Sequence, residues 1–99
     1  MRVRLSDEAK ACLRSIHSHV VKDSPINADA LIDRLTRRAE SIGDLPWSGR
    51  RVPEYEENNV REILERPYRI IYRVLADEIQ IASVVHYRQL LPDNLPNRH

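Results

Sequence analysis

The spacing of apolar residues changes several times along the chain, and each change predicts an element. Arg2-Val3-Arg4-Leu5 alternates charge with hydrophobe, the period of a short strand. Ser6 can cap a helix, with Asp7 and Glu8 in the first turn, where the helix dipole favours negative charge. Ala9, Cys12, Leu13, Ile16 and Val20 then recur at helical spacing, predicting a helix from Asp7 to about Val21. Pro25 suits the first turn of a second helix. Ala28, Leu31, Ile32, Leu35, Ala39 and Ile42 make one stripe along it to Ile42, and Gly43 is placed as its C-cap. The two helices should form an antiparallel hairpin.

From Asp44 to Asn59 the sequence DLPWSGRRVPEYEENN has no period and reads as a surface loop, long enough to suggest a role of its own. Three β-rich runs follow: Val60 to Glu65, Tyr68 to Leu75 and Glu78 to His86. Ala76-Asp77 is a two-residue turn between the last two. The expectation is an α+β domain: N-terminal strand, antiparallel two-helix hairpin, then a three-stranded antiparallel meander with the helices on one sheet face. The first strand would join an edge, and the other face would stay open. Alternation places Tyr68, Ile70, Tyr72 and Val74 under the helices. It places Arg69, Ile71, Arg73 and Leu75 on the open face, joined by Arg61, Ile63 and Glu65, with His86 at the rim. A single domain should span 1–92, leaving 93–99 as a tail.

Composition narrows the choices. Ninety-nine residues with 41% hydrophobic and 31% charged side chains fit one soluble domain. The formal net charge is +1, well short of a protein built to coat nucleic acid. Fourteen of the 16 basic residues are arginine, a side chain suited to bidentate contacts with carboxylate or phosphate, although GC-rich coding gives the same bias. The single cysteine, Cys12, excludes an internal disulfide and a cysteine metal cluster. No apolar run follows Met1-Arg2-Val3-Arg4, and none is long enough to cross a membrane, so a cytoplasmic protein is expected. No metal or cofactor is expected.

LPWSGRRVPEY before the meander, VREI, YRIIYRV and the closing IASVVHYRQ stand in an order that resembles the RelE/ParE superfamily of toxins from type II toxin–antitoxin systems. The resemblance runs to about Pro92. It implies two helices on a small sheet, and an antitoxin that wraps the toxin with a helix and a strand in a hetero-oligomer. It also implies one of two activities. RelE-like members cut mRNA in the ribosome; ParE-like members poison DNA gyrase and are not known as nucleases.

A nuclease would need an acid or base and cations for the phosphate. His86 could serve as the first, Arg69, Arg61 and Arg88 as the second, and Tyr87 could stack on a base. Against this, the net charge is small, and Glu54 to Glu65 holds five glutamates and one arginine. The phrases SGRRVPEY and VVHYRQ also resemble ParE-like chains more closely. The gyrase poison is therefore the favoured reading, with the mRNA endonuclease and a degenerate, non-toxic binding module as alternatives; whether the chain is an enzyme stays open. For partner binding the candidates are Arg69, Arg73, Trp47, Arg50 and Arg51, meeting acidic antitoxin residues. Each has a structural alternative: Arg69 could pair with Glu62 or Glu65, Trp47 could pack on the sheet, Arg50 and Arg51 could be solvated, and His86 could simply end a strand.

Overall fold

The structure is a computed structural model and describes residues 1–89 and 91. Its elements run β1 (Arg2–Leu5), α1 (Asp7–Val20), α2 (Pro25–Ser41), a 3-10 turn (Ile42–Asp44), β2 (Arg50–Arg51), β3 (Val60–Glu65), β4 (Tyr68–Val74) and β5 (Glu78–His86). The helix starts follow their local signals. The Ser6 hydroxyl accepts from the Ala9 amide at 3.0 Å and Ser24 accepts from the Asn27 amide at 3.2 Å, each satisfying an orphan donor of the first turn. The end of α2 differs from expectation. Gly43 lies inside the 3-10 turn and has no positive φ, so it is not a left-handed cap. It is needed for close approach: a Cβ there would stand 2.3 Å from the Met1 carbonyl oxygen. The Met1 ammonium also donates to the Gly43 carbonyl at 2.8 Å, pinning the start of β1 to the end of α2.

The sheet is larger than the expected meander. Its order is β1-β5-β4-β3-β2, with β1 parallel to β5 and the other pairs antiparallel. The fifth strand comes from the predicted loop, where Arg50 and Arg51 pair with Glu62 and Arg61. Both helices lie on one face. Their stripes, with Ala9, Leu35, Ala39 and Ile42 at the centre, close over Ile63, Ile70, Tyr72, Val74, Ile79, Ile81 and Val84.

The second face is not open as expected. The chain after β2 folds back, and Val52 and Tyr55 pack with Val60, Ile71 and Val85, joined by Leu91. The physical reason lies in the strands themselves. Ile71 and Val85 point away from the helices, and a bare face would leave them in water at roughly 1.5–3 kcal/mol per large side chain.

Two register features decide which residues share a face. Glu65 pairs with Tyr68 across the β3–β4 turn, so odd positions of β3 face with even positions of β4. Arg61, Ile63 and Glu65 therefore lie on the helical face beside Tyr72, Ile70 and Tyr68. Val60, Glu62 and Leu64 lie on the second face beside Arg73, Ile71 and Arg69. This reverses the expected orientation of β3, while the expected orientation of β4 holds. The β4–β5 register then slips between Ile71 and Tyr72, leaving Ala82 unpaired as a bulge. The slip lets Ile79 and Ile81 face the same core as Val84, although their spacing breaks strict alternation. His86 pairs with Tyr68 and so also lies toward the helices, not at the rim of the second face.

No helix among the described residues is long and apolar enough to cross a membrane. The tail expected at 93–99 lies outside the described residues.

Candidate functional site

Arg69 leaves β4 on the second face and is nearly buried, its side chain 8% exposed. Its Nε donates to Glu62 Oε1 at 2.5 Å, and its two terminal nitrogens donate to the two oxygens of Glu54, each at 3.0 Å. This is the forked geometry that makes arginine–carboxylate pairs specific. Glu62 has no exposed side-chain surface, and its second oxygen accepts from Arg50 Nε at 2.7 Å. Arg50, Glu62, Arg69 and Glu54 thus form one chain of alternating charge that crosses β2, β3, β4 and the returning loop. It cancels internally, two positive against two negative. Arg69 holds the Glu54 carboxyl below its ordinary range, and Glu54 pushes Arg69 further above its own.

The arrangement straps the loop to the sheet. Tyr55, two residues inside the loop, is buried beside it, and burial pushes its phenol up. Of the two partners expected for Arg69, Glu62 is the observed one; Glu65 instead meets Arg34 at 3.1 Å and Arg38 at 3.7 Å on the helical side. Glu54 was visible in sequence only as one of several loop glutamates. Nothing local tells it from Glu56 or Glu57, because the fold-back that selects it is a long-range event.

The remaining candidates are dispersed. Arg73 donates to the buried Gln80 amide oxygen at 2.9 Å. Arg51 donates to the Glu56 carbonyl at 2.6 Å. Arg61 is on the opposite face from Arg69, with its guanidinium 5.0 Å from the Trp47 ring centroid. His86, Tyr87 and Arg88 do cluster, at the end of β5. The His86 and Tyr87 rings stack at 4.8 Å, Tyr68 meets His86 edge-on at 5.8 Å, and the Arg88 guanidinium lies 5.3 Å from the Tyr87 centroid. His86 Nδ1 accepts from the Arg88 amide at 3.2 Å. Tyr68 stands between two grooves of about 470 and 440 Å3. The first is lined by Cys12, His19 and His86, the second by Leu31, Arg34 and Pro67. The five residues named for a nuclease therefore occupy three places: Arg69 inside the charge chain, Arg61 against Trp47, and the other three at the end of β5.

Two solved structures share this architecture. A chain of the chromosomal ParDE toxin–antitoxin system from P. aeruginosa superposes with a TM-score of 0.73 at 28% identity, covering 87% of this chain and 95% of that one. A chain of the toxin–antitoxin complex RelBE2 from Mycobacterium tuberculosis superposes with a TM-score of 0.55 at 18% identity, covering 86% and 95%, a likeness of fold alone. The class is thus a RelE/ParE superfamily toxin. The particular assignment follows from sequence: the family described as the ParE toxin of the type II toxin–antitoxin system parDE matches residues 3–91, and this chain belongs to that family. A relative, Y4kP of Sinorhizobium fredii (strain NBRC 101917 / NGR234), is 30% identical over 96 residues, covering 95% of this chain and 96% of Y4kP, whose own name offers toxin activity only as a proposal.

Proposed function

We propose that this toxin acts as a poison of DNA gyrase and is held inactive by a cognate antitoxin. The observation that carries the reading is the state of Arg69. The arginine best placed by sequence to hold a phosphate already has its three nitrogens on two carboxylates. His86, the candidate acid or base, lies toward the other face of the sheet. A ribonuclease needs such groups around one phosphate. The net charge of +1 adds support, since binding to ribosomal RNA draws on phosphate neutralisation.

An antitoxin partner is supported by two surfaces. β1 has β5 on one side, and its outer edge carries no strand among the described residues, leaving main-chain groups for an added strand. The grooves on either side of Tyr68 offer apolar wall to a helix. Among the arginines nominated for acidic partners, Arg50 and Arg51 remain exposed, whereas Arg69 would have to exchange Glu54 for the partner's carboxylate.

Expression without antitoxin tests the reading. The expected result is filamentation with SOS induction and gyrase–DNA cleavage complexes that accumulate with toxin dose. Translation arrest with codon-positioned mRNA cuts, lost in His86→Ala, would replace it with the ribosomal reading, for which the His86–Tyr87–Arg88 cluster is the structural basis. Normal growth of producing cells would favour a non-toxic binding module.

A further inference from the structure

The outward stripe of α2 gathers arginine. Arg34, Arg37 and Arg38 stand at i, i+3 and i+4, and all three are exposed. The turn between β3 and β4 brings Arg66 beside them, because Arg34 Nη2 donates to the Arg66 carbonyl at 3.2 Å. Two carboxylates answer these four arginines. Glu65 is shared, 3.1 Å from Arg34 Nε and 3.7 Å from Arg38 Nε, and Asp33 lies 3.0 Å from Arg37 Nε. Like charges at i and i+4 work against a helix, so the pair Arg34 and Arg38 carries a cost that one shared glutamate offsets only in part. Hydrogen bonds within the chain take Nη2 of Arg34 and Nη1 of Arg38. Nη1 of Arg34, Nη2 of Arg38 and both terminal nitrogens of Arg37 have none among the described residues. The exposed Arg66 side chain has no bond of its own among them either.

The patch therefore holds more positive charge than the chain neutralises, on side chains already posed by Glu65 and Asp33. Its centre has no apolar anchor: Leu35 and Ala39, the hydrophobes of this stretch, are buried beneath the helix. A protein interface is built around such an anchor. A phosphate backbone needs none. It takes cations, and the arginine fork suits its oxygens. We propose that Arg34, Arg37, Arg38 and Arg66 seat the phosphate backbone of the duplex that gyrase is cutting. This rests on the gyrase reading above, which supplies the DNA. The whole chain carries only +1, so the patch holds duplex weakly by itself. Gyrase presents the DNA, and the toxin adds a local contact to it.

The test uses the full-length chain purified away from its antitoxin. Arg37→Gln with Arg66→Gln removes two charges from the patch. It spares Arg34, which also borders the groove beside Leu31 and Pro67. Lys10→Gln with Arg14→Gln removes the same charge from exposed positions on α1 and serves as the control. Both pairs should keep the wild-type circular dichroism spectrum. Affinity for a short fluorescein-labelled duplex is read by polarisation across a salt series, and potency by the yield of cleaved supercoiled DNA with gyrase. The patch pair should flatten the slope of log affinity against log salt by about 2, and should need about fivefold more toxin for the same cleavage. The control pair should change neither, and Arg37→Lys with Arg66→Lys should restore the slope. No duplex binding by the wild type at low salt would overturn the proposal. So would equal losses in the patch and control pairs, which would mean bulk charge alone. Lost potency with wild-type duplex affinity would assign the patch to a protein carboxylate and overturn it too. Wild-type toxin that binds duplex yet yields no cleavage complexes would remove the gyrase reading, and this duplex with it; intact duplex affinity tells that failure from the others.

Discussion

Arg69 shows how a side chain nominated for binding in the sequence can hold partners of its own in the fold. It was nominated for phosphate and for antitoxin, yet in the free chain it faces two carboxylates of its own. Removing one partner from a buried pair strands the other charge, typically at about 3–5 kcal/mol. Arg69→Ala should cost about that much, because Glu62 has no solvent to fall back on and retains only Arg50. Replacing both, as Arg69→Met with Glu62→Leu, should recover a large part of the loss. Urea unfolding of the two single variants and the double measures the coupling. A cost for Arg69→Ala below about 1 kcal/mol would show that the network contributes little. Toxicity assays on Arg69 variants need this control, since a loss of activity can arise from unfolding.

At the scale of elements, legibility followed the range of the signals. Ser6, Pro25 and the apolar stripes act within a few residues, and both helices start where those residues predict. The face of β4 was legible because its own alternation is clean. The face of β3 was not, since it is set by the pairing of Glu65 with Tyr68 across the turn. β5 reads as one strand from end to end, and only the weak β-formers Ala82-Ser83 mark where its bulge falls. The loop was legible as a loop by its prolines, but not as a cover, because the groups it meets, Ile71, Val85 and the Arg69 that holds Glu54, lie more than a dozen residues further on. That contact has a pH signature. The folded pKa of Glu54 is lowered below its ordinary 4.5, so its contribution is complete above that value and is lost as pH falls through the folded value. Protonation removes one of the two carboxylates on Arg69. The protection factor of the Tyr55 amide, bonded to the Val52 carbonyl, should therefore fall below about pH 4.5 before those of the β4 and β5 amides do. Glu54→Gln should show the lowered protection at neutral pH. Equal protection of the loop at pH 7 and pH 3 would contradict the strap.

At the scale of the molecule, β5 joins everything. It holds β1 on one side and β4 on the other, and its inward side chains are part of the floor on which the helices rest. A chain ending at Asp77 keeps both helices and four strands, yet loses the strand between β1 and the rest. It should show the narrow amide dispersion of an unfolded protein and should not arrest growth. A dispersed, cooperative spectrum from that fragment would mean that α1, α2 and β4 make a core unaided.

The same parallel pair governs when the toxin comes into being. Arg4 meets Glu78 across 74 residues of chain, so the sheet cannot close until its last strand has left the ribosome. Loop closure over such distances makes folding slow and its contacts non-local. A nascent chain thus lacks its closed sheet until β5 has emerged, and one terminated before β5 never acquires it. On the function proposed above, action begins only with the complete sheet, and an antitoxin already in the cell would have a period in which to meet its partner before that partner is armed.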